Sequence, residues 1–246
     1  MLNYVKTLHD ECVSLALRLK FNKILEADGL VVCLYGRLIE LTGGMLVLIV
    51  AQQKASASIV FRSFLEAYVD LINLTQDCNY HNNLLAAHHQ KWVRILNTSN
   101  DPNPYLREIS ELRNVDEIKA YHRASLDALK RDGYAPMRVL ERFQKANMED
   151  EYRSIYSLGS SDIHNDFGAL SKHHIVADGD DFQLVFYKEG GDDYFFVELD
   201  SVAGLLLNAT LRIHNRLKSG CDGEIQKLDE ELGLVRARSP EGNREN

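Results

Sequence analysis

The chain has 246 residues, 28 basic against 36 acidic side chains, a formal net charge of −8, 45% hydrophobic residues, four prolines and four cysteines. These values describe a globular protein and exclude collagen, a disulfide framework and wholesale disorder. The acidic excess disfavours broad attraction to nucleic acid, which depends on Lys and Arg displacing phosphate counterions, although a local basic patch is still allowed.

The length accommodates one large domain whose core needs no metal or disulfide. Cys12, Cys33, Cys78 and Cys221 form no C-x-x-C pair, and the first residues lack the apolar run of a signal peptide. Reduced thiols and a cytoplasmic location are therefore expected. The longest uncharged stretch of the most apolar region runs from Leu41 up to Lys54. It falls short of the ~20 apolar residues of a membrane span, so no span is expected.

Tyr4, Leu8, Cys12, Leu15 and Leu19 recur at steps of four and three, the stripe of an amphipathic helix. Asp28-Gly29 is expected to break the next helical pattern, which resumes over Leu30 to Leu41, and Thr42-Gly43-Gly44 to kink or interrupt it. From Ala55 to Leu74 nearly every position is apolar except Ser58, Arg62, Ser63, Glu66, Asp70 and Asn73. Five of these, all but Ser63, share one arc of the helix at ~100° per residue. Such a helix belongs near the centre of a bundle.

Asn79 to Leu96 reads as a helix carrying His81, His88, His89 and Trp92, and the stretch from Asn97 to Pro104 as a loop. Charged helical segments follow from Tyr105 to Arg131, and a short one after Pro136. Tyr152, Ile155, Tyr156, Gly159, Ile163, Phe167 and Leu170 form a further stripe, interrupted at Gly159-Ser160-Ser161, where a Ser cap would place His164 in the first turn of a new helix. The aromatic and β-branched runs 182–187 and 194–199 predict a hairpin, and Asp200 or Ser201 would cap a last core helix with the stripe Val202, Leu205, Leu206, Ala209, Ile213 and Leu217. The fold class is mainly α: a multi-helix bundle over 1–220 with a small hairpin at about 182–199, followed by a charged, partly disordered tail over 221–246.

Two constellations can carry chemistry. Arg62, Glu66 and Asp70 are either a solvated row, where i,i+4 pairs contribute only about 0.2–0.5 kcal/mol each, or part of a buried cluster partnered by Arg37 and Glu40 that binds an anion or positions a water. His164 follows a hydroxyl-rich turn containing Tyr156, Ser160 and Ser161; imidazole there can do acid-base work or simply cap and hydrogen-bond. Catalytic candidates are His164, Arg62, Glu66 and Tyr156; binding candidates are Arg37, Glu40, Asp70, Ser160 and Ser161. His81, His88, His89 and His173-His174 do not fall at helical ligand spacing, so no metal or cofactor is expected, while a site assembled from Glu66, Asp70 and His164 stays open.

Gly36-Arg37-Leu38-Ile39-Glu40, the segment Arg62-Ser63-Phe64-Leu65-Glu66-Ala67-Tyr68, and Tyr156-Ser157-Leu158 through His164 resemble an uncharacterised bacterial family, domain of unknown function 5677. The resemblance spans roughly Leu30 to Leu217; it implies an α-helical domain and no established activity. HEPN ribonucleases of prokaryotic defence and toxin systems are similar-looking bundles, but they carry an Arg followed four to six residues later by His, and no Arg here has that spacing. The leading expectation is a binding or regulatory component in bacterial stress or phage defence, acting on a small molecule or protein partner. The rivals are a hydrolase or metal-independent ribonuclease using His164 as acid or base and Arg62 as anion stabiliser, and a structural homodimer formed by apolar faces near Leu46 to Val50.

Overall fold

A computed structural model describes residues 1–97, 104–106, 114–157, 166–179, 181–186 and 195–238. Helix α1 (Leu2–Ala16) buries Tyr4, Val5, Leu8, Cys12 and Leu15, the stripe its spacing predicts. Helix α2 (Glu26–Val50) runs unbroken through Asp28-Gly29 and through Thr42-Gly43-Gly44, where a break and a kink were expected. Packing outweighs the ~1 kcal/mol that each interior glycine costs. Gly43 also serves the contact with α1, since a Cβ there would stand 3.0 Å from His9 Nε2. In length and composition α2 would suffice to cross a bilayer, correcting the sequence-based arithmetic. Its Val31, Tyr35, Leu38 and Met45 are nevertheless buried in the protein core.

Residues 51–53, with Gln52 at a φ of 56°, reverse the chain into α3 (Lys54–Gln76). Phe61, Phe64, Leu65, Tyr68, Val69, Leu71, Ile72 and Leu74 are all buried, which makes α3 the central helix its composition predicts. Helix α4 (Tyr80–Asn97) pairs with α5 (Val115–Arg131), and α6 (Val139–Lys145) packs on α3. The backbone N–H of Arg138 donates to Glu141 Oε2 at 2.7 Å and fixes the start of α6. A helical turn at Glu149–Glu151 then widens into a π-helical turn, Tyr152–Tyr156. Helix α7 (Phe167–His174) starts from Asp166, whose side chain accepts from the Ala169 N–H at 2.9 Å. The expected serine cap falls in 158–165, outside the described residues.

The β-structure lies upstream of its expected place. Strands β1 (Ile175–Asp178) and β2 (Asp181–Leu184) pair antiparallel, with Ile175 opposite Leu184 and Asp178 opposite Asp181. Gly179 takes a φ of +63° at the turn, a conformation glycine adopts without a Cβ clash. Of the run 194–199, read as the second strand, residues 196–199 instead begin α8 (Phe196–Leu217). Phe195, Leu199, Val202, Ala203 and Leu206 are buried at helical spacing, so burial of that face overrides β-propensity.

Helix α8 packs against α1, α2, α3 and α9 (Asp222–Ala237). The last of these corrects the expectation of a tail from residue 221. Ile225, Leu228 and Leu232 recur on one face and are buried, Tyr4 donates its hydroxyl to the Leu228 carbonyl at 2.7 Å, and Arg236 forks onto Asp200 at 2.7 and 3.1 Å. The fold is mainly α, a helical bundle with, among the described residues, one two-stranded sheet ahead of its last helices.

Candidate functional site

The polar arc of α3 meets α6, the π-turn and the start of α4 along its length. Arg62 Nη2 donates to the Tyr156 hydroxyl at 2.6 Å, and that hydroxyl donates to Glu66 Oε1 at 2.9 Å. Arg62 Nε also lies 3.5 Å from Glu66 Oε1. From the other side Arg142 Nη2 stands 3.3 Å from Glu66 Oε2, while its Nε faces Asp70 Oδ1 at 3.3 Å. Tyr80 donates to the same Asp70 oxygen at 2.6 Å, and Asn73 Nδ2 donates to the Arg142 carbonyl at 2.9 Å. The result is a ladder of alternating charge: Arg62, Glu66, Arg142, Asp70.

Local structure explains each position. Arg62, Glu66 and Asp70 stand four residues apart on α3 and therefore one above another. Tyr156 is held by ring contacts with Phe143 at 4.9 Å and Tyr152 at 5.2 Å, and the Arg62 guanidinium carbon sits 4.4 Å from its ring centroid, a cation–π contact. The π-turn presents Tyr152 and Tyr156 stacked with an interplanar angle of 20°. π-Turns of this kind recur at functional sites.

Burial, and then the bond to Glu66, push the Tyr156 phenol up to about 12. It is therefore a proton donor at neutral pH and not a base. Burial also pushes the Asp70 carboxyl up, against the opposing pull of Arg142 and Tyr80. Glu66 is the most open member, its side chain 32% exposed against 15% for Arg62, 18% for Arg142 and 13% for Asp70. Two atoms at the inner end, Arg142 Nε and Asn73 Oδ1, are buried without a hydrogen bond. The ladder can hold and orient a polar or anionic group.

Of the sequence-derived candidates, Arg62, Glu66, Asp70 and Tyr156 come together. Arg37 and Glu40 do not join them. They pair with each other at 2.7 Å on α2 with side chains 52% and 69% exposed, because Leu38 and Ile39 take the buried side of that helix. His164, Ser160 and Ser161 lie outside the described residues, so the site of Glu66, Asp70 and His164 has only its first two members placed. Sequence reasoning missed Arg142 and Tyr80. Arg142 is one charge among several on a short helix, with no spacing that links it to α3. Tyr80 follows Asp70 by ten residues, across a chain reversal that periodicity does not reveal.

Among the described residues, no three His, Cys, Asp or Glu side chains are placed to share a metal ion. His81 Nδ1 is 2.7 Å from the Cys78 carbonyl, and His173 and His174 contact each other at a ring separation of 6.4 Å. No curated protein and no solved structure matches the chain significantly. A family model does: every member of the ladder falls within residues 28–183, the stretch matched by the family of unknown function DUF5677, and the chain belongs to that family.

Proposed function

We propose that the chain is a binding or regulatory component whose ladder recognises an anionic group, carboxylate or phosphate, on a small molecule or partner protein. The observation that carries this reading is the convergence of Arg62 and Arg142, from two different elements, on the partly exposed carboxylate of Glu66. Guanidinium forks bind such oxyanions with paired hydrogen bonds, so a ligand oxyanion of better geometry exchanges for Glu66. A setting in bacterial stress or phage defence is proposed on the likeness to HEPN bundles alone. Acid-base catalysis receives less support, because the Tyr156 hydroxyl keeps its proton and the Arg62 guanidinium already holds it.

The test is thermal unfolding of the full chain titrated with inorganic phosphate and with succinate, in wild type and Arg142→Gln. A probe at 100 times its dissociation constant stabilises by about 2.7 kcal/mol, which for a chain of this size raises Tm by about 5–10 °C. The rise should be lost in Arg142→Gln. Equal rises in both proteins, or none in wild type, overturn the reading. RNA cleavage that Arg62→Ala abolishes without lowering Tm would replace it with the ribonuclease.

A homodimer is a second reading, favoured by Val47 and Val50 of α2 and Ile59 of α3, which are exposed beside buried Leu46 and Ile49. Light scattering at a multiple of 28.0 kDa supports it, and a monomer removes it.

A further inference from the structure

A second cluster of titratable groups joins α4 to α5 and takes no part in the ladder. His89 and His122 are each 9% exposed, and their Nδ1 atoms stand 2.8 Å apart. Trp92, the chain's one tryptophan, stacks on His122 with ring centroids 5.7 Å apart and planes 11° apart. Tyr121 stands edge-on to both imidazoles, and His88 adds a third imidazole 5.4 Å from His89 and 5.8 Å from His122. The contact matters to the docking of α5, whose buried residues are His122 and Leu126.

Two imidazole nitrogens at this separation share one proton. With both rings neutral, one Nδ1–H donates and the other ring, protonated at Nε2, accepts. A first added proton goes to the donor ring's free Nε2 and strengthens the bond, because the donor is now charged. A second must go to the accepting Nδ1. It sets two N–H groups and two like charges face to face at 2.8 Å, and the contact cannot persist.

We propose that His89 and His122 form a proton-counting latch: α5 stays docked on α4 while the pair carries at most one added proton, and acidification releases it. Burial first, and then the neighbouring charges of His122 and His88, hold the His89 imidazole below its ordinary range, and burial followed by His88 does the same for His122. The docked pair thus binds fewer protons than separated rings, and its advantage is lost as the pH falls from the ordinary histidine value of about 6.5. Among the described residues, the titratable groups facing the pair are His88 on α4 and Tyr121 on α5. Helices α2 and α3 meet α4 near its N-terminal end, through Glu26 with His81 and Asp70 with Tyr80.

The single tryptophan supplies the readout. Between pH 7 and pH 5, emission of Trp92 in the full chain should shift to the red. Hydrogen-exchange protection of amides in 115–131 should fall about tenfold per pH unit once one extra proton accompanies opening, while amides of α3 and α8 keep theirs. In His89→Gln the amide bonds His122 in either protonation state, so both changes should vanish; His88→Gln should retain them. An unchanged wild type, a His89→Gln protein that still responds, or loss of α3 and α8 protection in parallel overturns the latch. If His89→Gln already shows red-shifted emission at pH 7, the wild-type imidazole proton resonances decide. Two separate uptake steps for the pair, the lower coinciding with the Trp92 shift, sustain the proposal; independent titration of both rings near pH 6.5 refutes it.

Discussion

Tyr156→Phe isolates the hydroxyl at the head of the ladder. The ring is 3% exposed and keeps its contacts with Phe143, Tyr152 and the Arg62 guanidinium, so no cavity opens. What is lost is the donor to Glu66 Oε1 at 2.9 Å and the acceptor for Arg62 Nη2 at 2.6 Å. Hydrogen bonds to charged partners contribute about 1.5–3 kcal/mol each when buried. Here the sum is smaller, because Arg62 and Glu66 keep their direct approach at 3.5 Å and water reaches the third of Glu66 that is exposed. The expected cost is about 2 kcal/mol, a fall in Tm of about 4–8 °C for a chain of this length. Urea and thermal denaturation measure it, and Tyr156→Ala, which also empties the ring's place, should cost about 3–5 kcal/mol. Combined with Glu66→Met, which removes the acceptor of that same bond, the double variant should be less destabilised than the sum of the singles by about 1 kcal/mol. A Tyr156→Phe protein within about 0.5 kcal/mol of wild type, the range of ordinary surface substitutions, or strict additivity with Glu66→Met, would show that the ladder is a solvated row after all.

Burial raises the Asp70 carboxyl, so the folded chain holds that proton more tightly than the unfolded one and the associated stability is lost as pH rises through the folded value. Asp70→Asn, which still accepts from Tyr80, should therefore compare more favourably with wild type at pH 7 than at pH 4 in denaturant titrations; a larger deficit at pH 7 would mean that pairing with Arg142 dominates. A methyl group on the Gly44 Cα would meet nothing within 4 Å, so Gly44→Ala should add about 0.5–1 kcal/mol through helix propensity. Gly43→Ala must displace the His9 ring and should gain less; equal Tm shifts for the two would argue against the close α1–α2 contact. Leu232→Ala truncates a side chain 2% exposed in α9 and should cost about 2–4 kcal/mol by urea denaturation, whereas a neutral result would return α9 to the status of a dispensable tail.

The amino-acid pattern alone determined the helical character of this protein and the identity of its central helix. The reason is that α3 confines Ser58, Arg62, Glu66, Asp70 and Asn73 to one arc and leaves the remainder apolar, and a 3.6-residue period is a local property. Membership of DUF5677 was likewise legible, from short strings on α2, α3 and the π-turn. Local pattern failed where long-range burial decided. Phe195 and Leu199 read as strand residues until the core claims both at helical spacing, and Gly43 reads as a break until His9 packs against it. Ile225, Leu228 and Leu232 are too sparse among charges to announce a core helix, yet α8 and α1 offer them a surface. The site divides in the same way. Its α3 members stand in register on one helix, whereas Arg142, Tyr80 and the His89–His122 contact arise only when chain segments 10 to 76 residues apart meet, a convergence that no local spacing encodes.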